Sequence, residues 1–163
     1  MNYRNSQILM LITALVVMSC GGRKEVTKEL NTVTFTNDTN SQIFQDYLHI
    51  KQALVNSDVK EVKATARDMV DVYSDNQIDL KKLTKELGKT DNIDDQREVF
   101  YVLSQRLESM LKSNVSGGKI YKQYCPMAFN NGGAYWFSED KQIENPYFGK
   151  NMLNCGSISD TIK

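Results

Sequence analysis

The sequence predicts a mainly α-helical domain: an antiparallel up-and-down bundle of about four helices, closed at the C-terminus by a small β-hairpin or irregular cap. Three observations predict it. Apolar residues recur every three to four positions through successive segments from Ile43 to Met110. Helix-start and helix-stop residues bracket those segments at short intervals. After Gly118 the helical period is lost, and β-forming and turn residues take over. A chain of 163 residues holds one domain with a real core and is short for two.

Residues 1–19 read as a signal peptide. Arg4 supplies a positive n-region, and Ile8 to Met18 form an apolar run too short to span a bilayer comfortably. The run ends in Val17-Met18-Ser19-Cys20, which resembles the lipobox of bacterial lipoproteins, where the cysteine is acylated and becomes the new N-terminus. An ordinary secretory signal that happens to contain a cysteine is the plainer alternative. On the lipoprotein reading, Cys20 is the lipidation site and anchors the chain to the membrane, since several acyl chains hold durably where one does not. Gly21 follows the cysteine where inner-membrane retention in some bacteria uses an aspartate, which favours the outer membrane, with the domain facing the periplasm. Residues 20–40 are charged and Thr/Asn-rich, with only Val26, Leu30, Val33 and Phe35 apolar, and read as a tether. "TVTFT" within it is a weak edge-strand signal.

The folded domain is expected over 41–163. Thr39 and Gln42 have capping-box spacing, and Ile43, Tyr47, Ile50 and Leu54 then form one stripe. Asp58 and Glu61 repeat the device ahead of Val59, Val62, Ala66, Met69 and Tyr73. "SDNQ" breaks the period, and a short helix with Leu80, Leu83 and Leu87 closes at Gly88. The longest helix starts near Asn92, places Asp94 and Asp95 where the dipole favours negative charge, and carries Ile93, Phe100, Leu103, Leu107 and Met110. Such stripes bury best against one another, hence the bundle. Beyond it, "KIYKQYC" and "AYWF" read as two short extended segments around an "NNGG" turn.

Composition excludes several functions. Lys+Arg and Asp+Glu number 20 each, and the basic residues are scattered among acidic ones, so the chain lacks the patch that nucleic acid needs. Gly117-Gly118 and Gly132-Gly133 lack the lysine and the strand-to-helix setting of a phosphate loop. His49 is the single histidine, which removes mechanisms needing two; it reads as a surface or boundary residue, with a metal-ligand role the minor alternative. Asp94/Asp95 and Glu139/Asp140 are better explained as helix-start and turn charges than as an acid/base pair. The chain therefore reads as non-enzymatic.

With Cys20 assigned to lipid, Cys125 and Cys155 remain as a pair in an oxidising compartment. Two chemistries are open to them. Thiolate and thioether sulfurs are soft donors that favour Cu(I), and Met127 and Met152 lie close enough in sequence to join Cys125 and Cys155 around one ion. Tyr135, Trp136, Tyr147 and Phe148 would shield such a centre, although aromatics in a small domain are more often core anchors. Alternatively the two cysteines form a disulfide that holds the cap onto the bundle, worth about 3 kcal/mol in the chain-entropy model. The two are different redox states of one pair, since only reduced cysteines supply thiolates.

The elements "CPMA", "GAYW", "NPYFG" and "MLNCG", in this order from Cys125 to Gly156, resemble those of the envelope domain of unknown function 3347; "YLHIKQALVNSD" and "DQREVFYVLSQRL" are similar to that family's first and last helices. The resemblance runs from about Ile43 to Ile158. It implies a helical domain found in envelope lipoproteins and on periplasmic adaptors of heavy-metal efflux systems, and so a copper-like metal and efflux components as partners. The segment "SDNQIDLKKLTKELGKTDN" departs from the family by lacking its histidines and tryptophan, which leaves sulfur as the principal donor. The expected function is binding or buffering of a soft metal by Cys125, Met127, Met152 and Cys155, with His49 a weak candidate. The alternative is a disulfide-stapled module that docks onto an efflux adaptor or another envelope protein.

Overall fold

The computed structural model describes residues 31–163. The expected signal peptide, the expected lipidation site Cys20 and the first part of the expected tether lie outside the described residues. Four helices form the larger layer: α1 Asp38–Val55, α2 Val59–Val72, α3 Ile78–Leu87 and α4 Ile93–Asn114. Each packs on the next, and α4 packs back onto α1 and α2. The predicted stripes are the core: Ile43, Tyr47, Ile50, Leu54, Val62, Ala66, Met69, Leu87, Phe100, Leu103 and Leu107 are fully buried or nearly so.

Local chemistry sets the helix ends. Asp58 accepts the N–H groups of Lys60 and Glu61 at 3.1 and 3.0 Å, and Asn92 accepts those of Asp94 and Asp95 at 2.8 and 3.2 Å. The α1 cap is Asn37, which accepts the Asn40 N–H at 2.8 Å, and not Thr39. The period break at "SDNQ" is a short 3-10 turn, Asp75–Gln77, closed by a Ser74/Gln77 capping box. On α4 the inward stripe ends on Leu111, with Met110 half-buried beside it.

The boundary of the tether needs correction. Val33 is buried, and strand β1 (Thr34–Phe35) pairs antiparallel with β2 (Val115–Gly117), directly after α4. The Asn31 side chain donates to the carbonyls of Lys119 and Glu139 at 2.6 and 2.7 Å and accepts the Lys119 N–H at 2.8 Å. Residues 31–40 therefore belong to the fold. Their few apolar side chains sufficed because each found a partner: the Phe35 ring lies 5.4 Å from that of Phe44.

The cap contains the expected hairpin and adds a third strand to it. β3 (Ile120–Cys125) is the centre of a three-stranded antiparallel sheet, between β4 (Ala134–Ser138) and β5 (Ser157–Ile162). Cys125 pairs with Ala134, and Ile120 with Ile162. β5, "SISDTI", is exposed except near Ile162, so it carries almost no hydrophobic alternation. The ladder to β3, with a bulge at Lys122/Gln123, holds it instead.

Candidate functional site

Cys125 ends β3 and is fully buried, while Cys155 lies just before β5 and is half-buried. The two are joined by a disulfide with 5.8 Å between their Cα atoms. Both backbones are held independently of that bond. Cys125 sits in the ladder opposite Ala134. The Cys155 N–H donates to the Met152 carbonyl at 3.0 Å, and its carbonyl accepts from Asn145 Nδ2 at 2.8 Å.

Asn145 organises this region and was not singled out from the sequence. It is fully buried. Its Oδ1 accepts the Tyr147 N–H at 2.8 Å, its own N–H donates to the Leu153 carbonyl at 2.8 Å, and its carbonyl accepts the Gly149 N–H at 3.0 Å. The Asn-Pro dipeptide was the available signal, since asparagine readily bonds its own chain two residues on. Gly149, at φ +56°, lies against the Val55 carbonyl, where a Cβ would come within 2.9 Å. Tyr147 Oη donates to the Tyr135 carbonyl at 2.6 Å, and the Trp136 ring packs on Tyr147 at 5.8 Å between centroids. The "NPYFG" and "GAYW" residues are thus used by packing, as core anchors.

The methionines are not. Met127 is 47% exposed and Met152 half-buried, and neither belongs to the core that Met69 enters. Between Cys125 and β4 the chain turns through Phe129, Asn130 and Asn131, all at positive φ near 50–67°. Left-handed backbone at three successive non-glycine residues is uncommon and costs on the order of 1 kcal/mol or more at each. The turn is held by the Phe129 ring, 5.5 Å from Tyr101 and 5.2 Å from Tyr147, and it leaves Met127, two residues after the buried Cys125, at the surface.

His49 is placed elsewhere. It is on the exposed side of α1, its Nε2 is 3.6 Å from Glu61 on α2, and the side chain is 64% exposed. Among the described residues, no three His, Cys, Asp or Glu side chains are grouped so as to hold a metal ion.

Residues 43–118 match the family described as protein of unknown function, DUF3347. Through this segment the chain is similar to the DUF3347 family. No curated protein and no solved structure matches it. The DUF3347 match covers most of α1, all of α2 to α4, and β2; it stops short of β3 and of both cysteines.

The DUF3347 segment nevertheless grips the sheet and the β4–β5 connection beyond it at four points. Tyr47 Oη, on α1, accepts the Phe137 N–H at 3.0 Å and pairs with Ser104 Oγ at 2.7 Å; burial pushes its hydroxyl pKa up and keeps it neutral. Lys51 lies 3.6 Å from Glu144, and burial pushes the ammonium pKa down against that attraction. Arg97 donates to the Pro146 carbonyl at 3.0 Å and to Ser57 Oγ at 3.1 Å, fastening the "NPYFG" turn to the α1–α2 corner.

The fourth grip is Glu108, on α4, which accepts from Lys112 at 2.7 Å, Lys122 at 2.9 Å and Tyr135 Oη at 2.9 Å. Burial alone would raise its carboxyl, but these three donors outweigh it and hold the pKa at about 2, below the ordinary 4.5. A depressed carboxyl stabilises the fold above the ordinary value and loses that contribution as pH falls through the folded value. Wild-type stability is therefore expected to decline between pH 4.5 and about 2 more steeply than that of Glu108→Gln, measured by urea unfolding at successive pH values. Parallel declines would show that the network contributes nothing.

Proposed function

We propose that this protein is a non-enzymatic, lipid-anchored protein of the cell envelope, an antiparallel up-and-down bundle capped by a sheet, that binds or buffers a soft, copper-like metal ion. Cys125, Met127, Met152 and Cys155 are the ligands, in the reduced state of the cysteine pair. Cys20 carries the lipid, the outer membrane is the favoured location, and components of heavy-metal efflux are the partners. His49 stays outside this ligand set: its side chain is 64% exposed on α1, with its Nε2 3.6 Å from Glu61.

One observation carries the reading: within three residues of each bonded cysteine the chain has a methionine that the core does not use. A thioether at the surface gains little from packing, whereas beside a thiol it adds a second soft donor. Reduction would leave two thiols on backbones already positioned 5.8 Å apart, so the ion would meet a cysteine pair already brought together. The disulfide form supplies no thiolate and is the closed state.

The test is a competition titration of Cu(I) against a chelator, on an anaerobically reduced soluble form beginning at Gly21. Cys125→Ser is expected to abolish tight binding. Met127→Leu is expected to weaken it about tenfold, roughly 1.4 kcal/mol, while shifting unfolding free energy by no more than about 0.5 kcal/mol, as for an ordinary surface change. No binding by the reduced wild type would reject the proposal.

A second reading is favoured by the disulfide itself. Cys125 is fully buried in a bonded pair, and Tyr124 and Met127 on either side are 37% and 47% exposed. That arrangement also suits a stapled module whose cap docks, without metal, onto an efflux adaptor or another envelope protein.

A further inference from the structure

The two sulfurs of the disulfide are not equivalent. Thiol–disulfide exchange requires a thiolate to approach one sulfur along the S–S axis, so access decides which sulfur is attacked. Cys125 is fully buried, covered within β3 of the central sheet, whereas Cys155 is half-buried at the end of an irregular segment. We propose that Cys155 Sγ is a thiol-exchange site and that its partner is an envelope dithiol reductant, which opens the Cys125–Cys155 bond by attack at Cys155 alone.

The step balances as an ordinary exchange. The reductant's thiolate forms a bond to Cys155 Sγ, the Cys125–Cys155 S–S bond breaks, and its electron pair leaves on Cys125 Sγ, which takes up a proton. The reductant's second thiol then attacks its own first sulfur, displacing Cys155 as a thiolate that is protonated in turn, and the reductant departs as a disulfide. Two electrons and two protons pass to the chain. Because the leaving thiolate of Cys125 appears in a buried, apolar place, where the charged form is disfavoured, the first step is slow. A fast monothiol would therefore gain little, while a dithiol that completes the second step drives the opening.

Neighbouring residues fit this role. Cys155 stays in place during the exchange, because Asn145 and Met152 hold its backbone on both sides. Gly156, at φ +140°, lies against the Trp136 ring, where a Cβ would come within 3.0 Å, so the chain leaves Cys155 closely packed on that ring. Exposed Met127 and Tyr124 flank Cys125 in sequence and offer apolar surface to a docking protein.

The inference deepens the metal reading, on which it rests for its purpose, since it names what would open that site. The experiment uses the soluble form beginning at Gly21 and a thioredoxin-like dithiol protein whose second cysteine is replaced, so that the mixed disulfide is trapped. Peptide mapping by mass spectrometry is expected to find the trapped bond on Cys155 in at least ten molecules for each one on Cys125. As a second measurement, the free thiol of Cys125→Ala is expected to react with an aromatic disulfide reagent at least tenfold faster than that of Cys155→Ala, both under native conditions. Trapping at Cys125, equal reactivity of the two thiols, or no mixed disulfide at all would overturn it. Selective trapping at Cys155 together with no Cu(I) binding by the reduced chain would retain the exchange site and reject the metal.

Discussion

Reduction of the Cys125–Cys155 disulfide is expected to lower the unfolding free energy by about 3 kcal/mol while leaving the three-stranded sheet in place. The first part follows from the 30-residue separation of the cysteines, since releasing a loop of that size restores much conformational freedom to the unfolded chain. The second part follows from what else holds the cap. β3 is hydrogen-bonded on both sides, Tyr47 bonds the Phe137 N–H, Glu108 bonds Lys122 and Tyr135, and Arg97 bonds the Pro146 carbonyl. None of these contacts passes through sulfur. Urea unfolding with and without reductant, followed by the fluorescence of Trp136, gives the energy, and amide exchange in β3, β4 and β5 reports on the sheet. If those amides exchange freely after reduction while α1 and α4 stay protected, the disulfide is the sole support of the cap, and a pre-formed reduced site is untenable.

Replacing Asn145 by alanine is expected to cost roughly 2–5 kcal/mol. The side chain satisfies two groups, the Tyr147 N–H and the Cys155 carbonyl, each at 2.8 Å, and it is fully buried. An orphaned buried donor or acceptor costs about 1–3 kcal/mol, and here there are two. Asn145→Asp would keep the acceptor but replace the donor to Cys155, so it separates the two bonds. Asn145→Ala is also expected to weaken metal binding by the reduced chain, because Cys155 loses one of its two backbone anchors. Thermal unfolding and the Cu(I) competition titration read the two effects. A loss below about 0.5 kcal/mol would place Asn145 among ordinary surface substitutions and contradict the packing described.

The helical layer was legible because its signals are local. The stripes Ile43-Tyr47-Ile50-Leu54 and Phe100-Leu103-Leu107, and the caps Asp58 and Asn92, act within a turn or two of themselves. The failures share the opposite property. Asn31 reaches across 88 and 108 residues to Lys119 and Glu139, so a composition that reads as tether is part of the fold. β5 is nearly all exposed and owes its conformation to β3. Asn145 acts through a bond to a residue ten positions on, which no capping or turn rule marks. The candidate site was legible only in part. Counting cysteines leaves Cys125 and Cys155 with each other once Cys20 is set aside, but methionine reads alike in a core and on a surface. Only the fold separates Met69, fully buried, from Met127, 47% exposed.

Gating of metal binding by the Cys125–Cys155 pair is read by comparing one protein in two redox states. Cu(I) is titrated in competition with a chelator against the soluble form beginning at Gly21, once with the disulfide intact and once after anaerobic reduction and removal of the reductant. Tight binding of one ion by the reduced chain and none by the disulfide form is the expected result. Equal binding in the two states, or none in either, would contradict it.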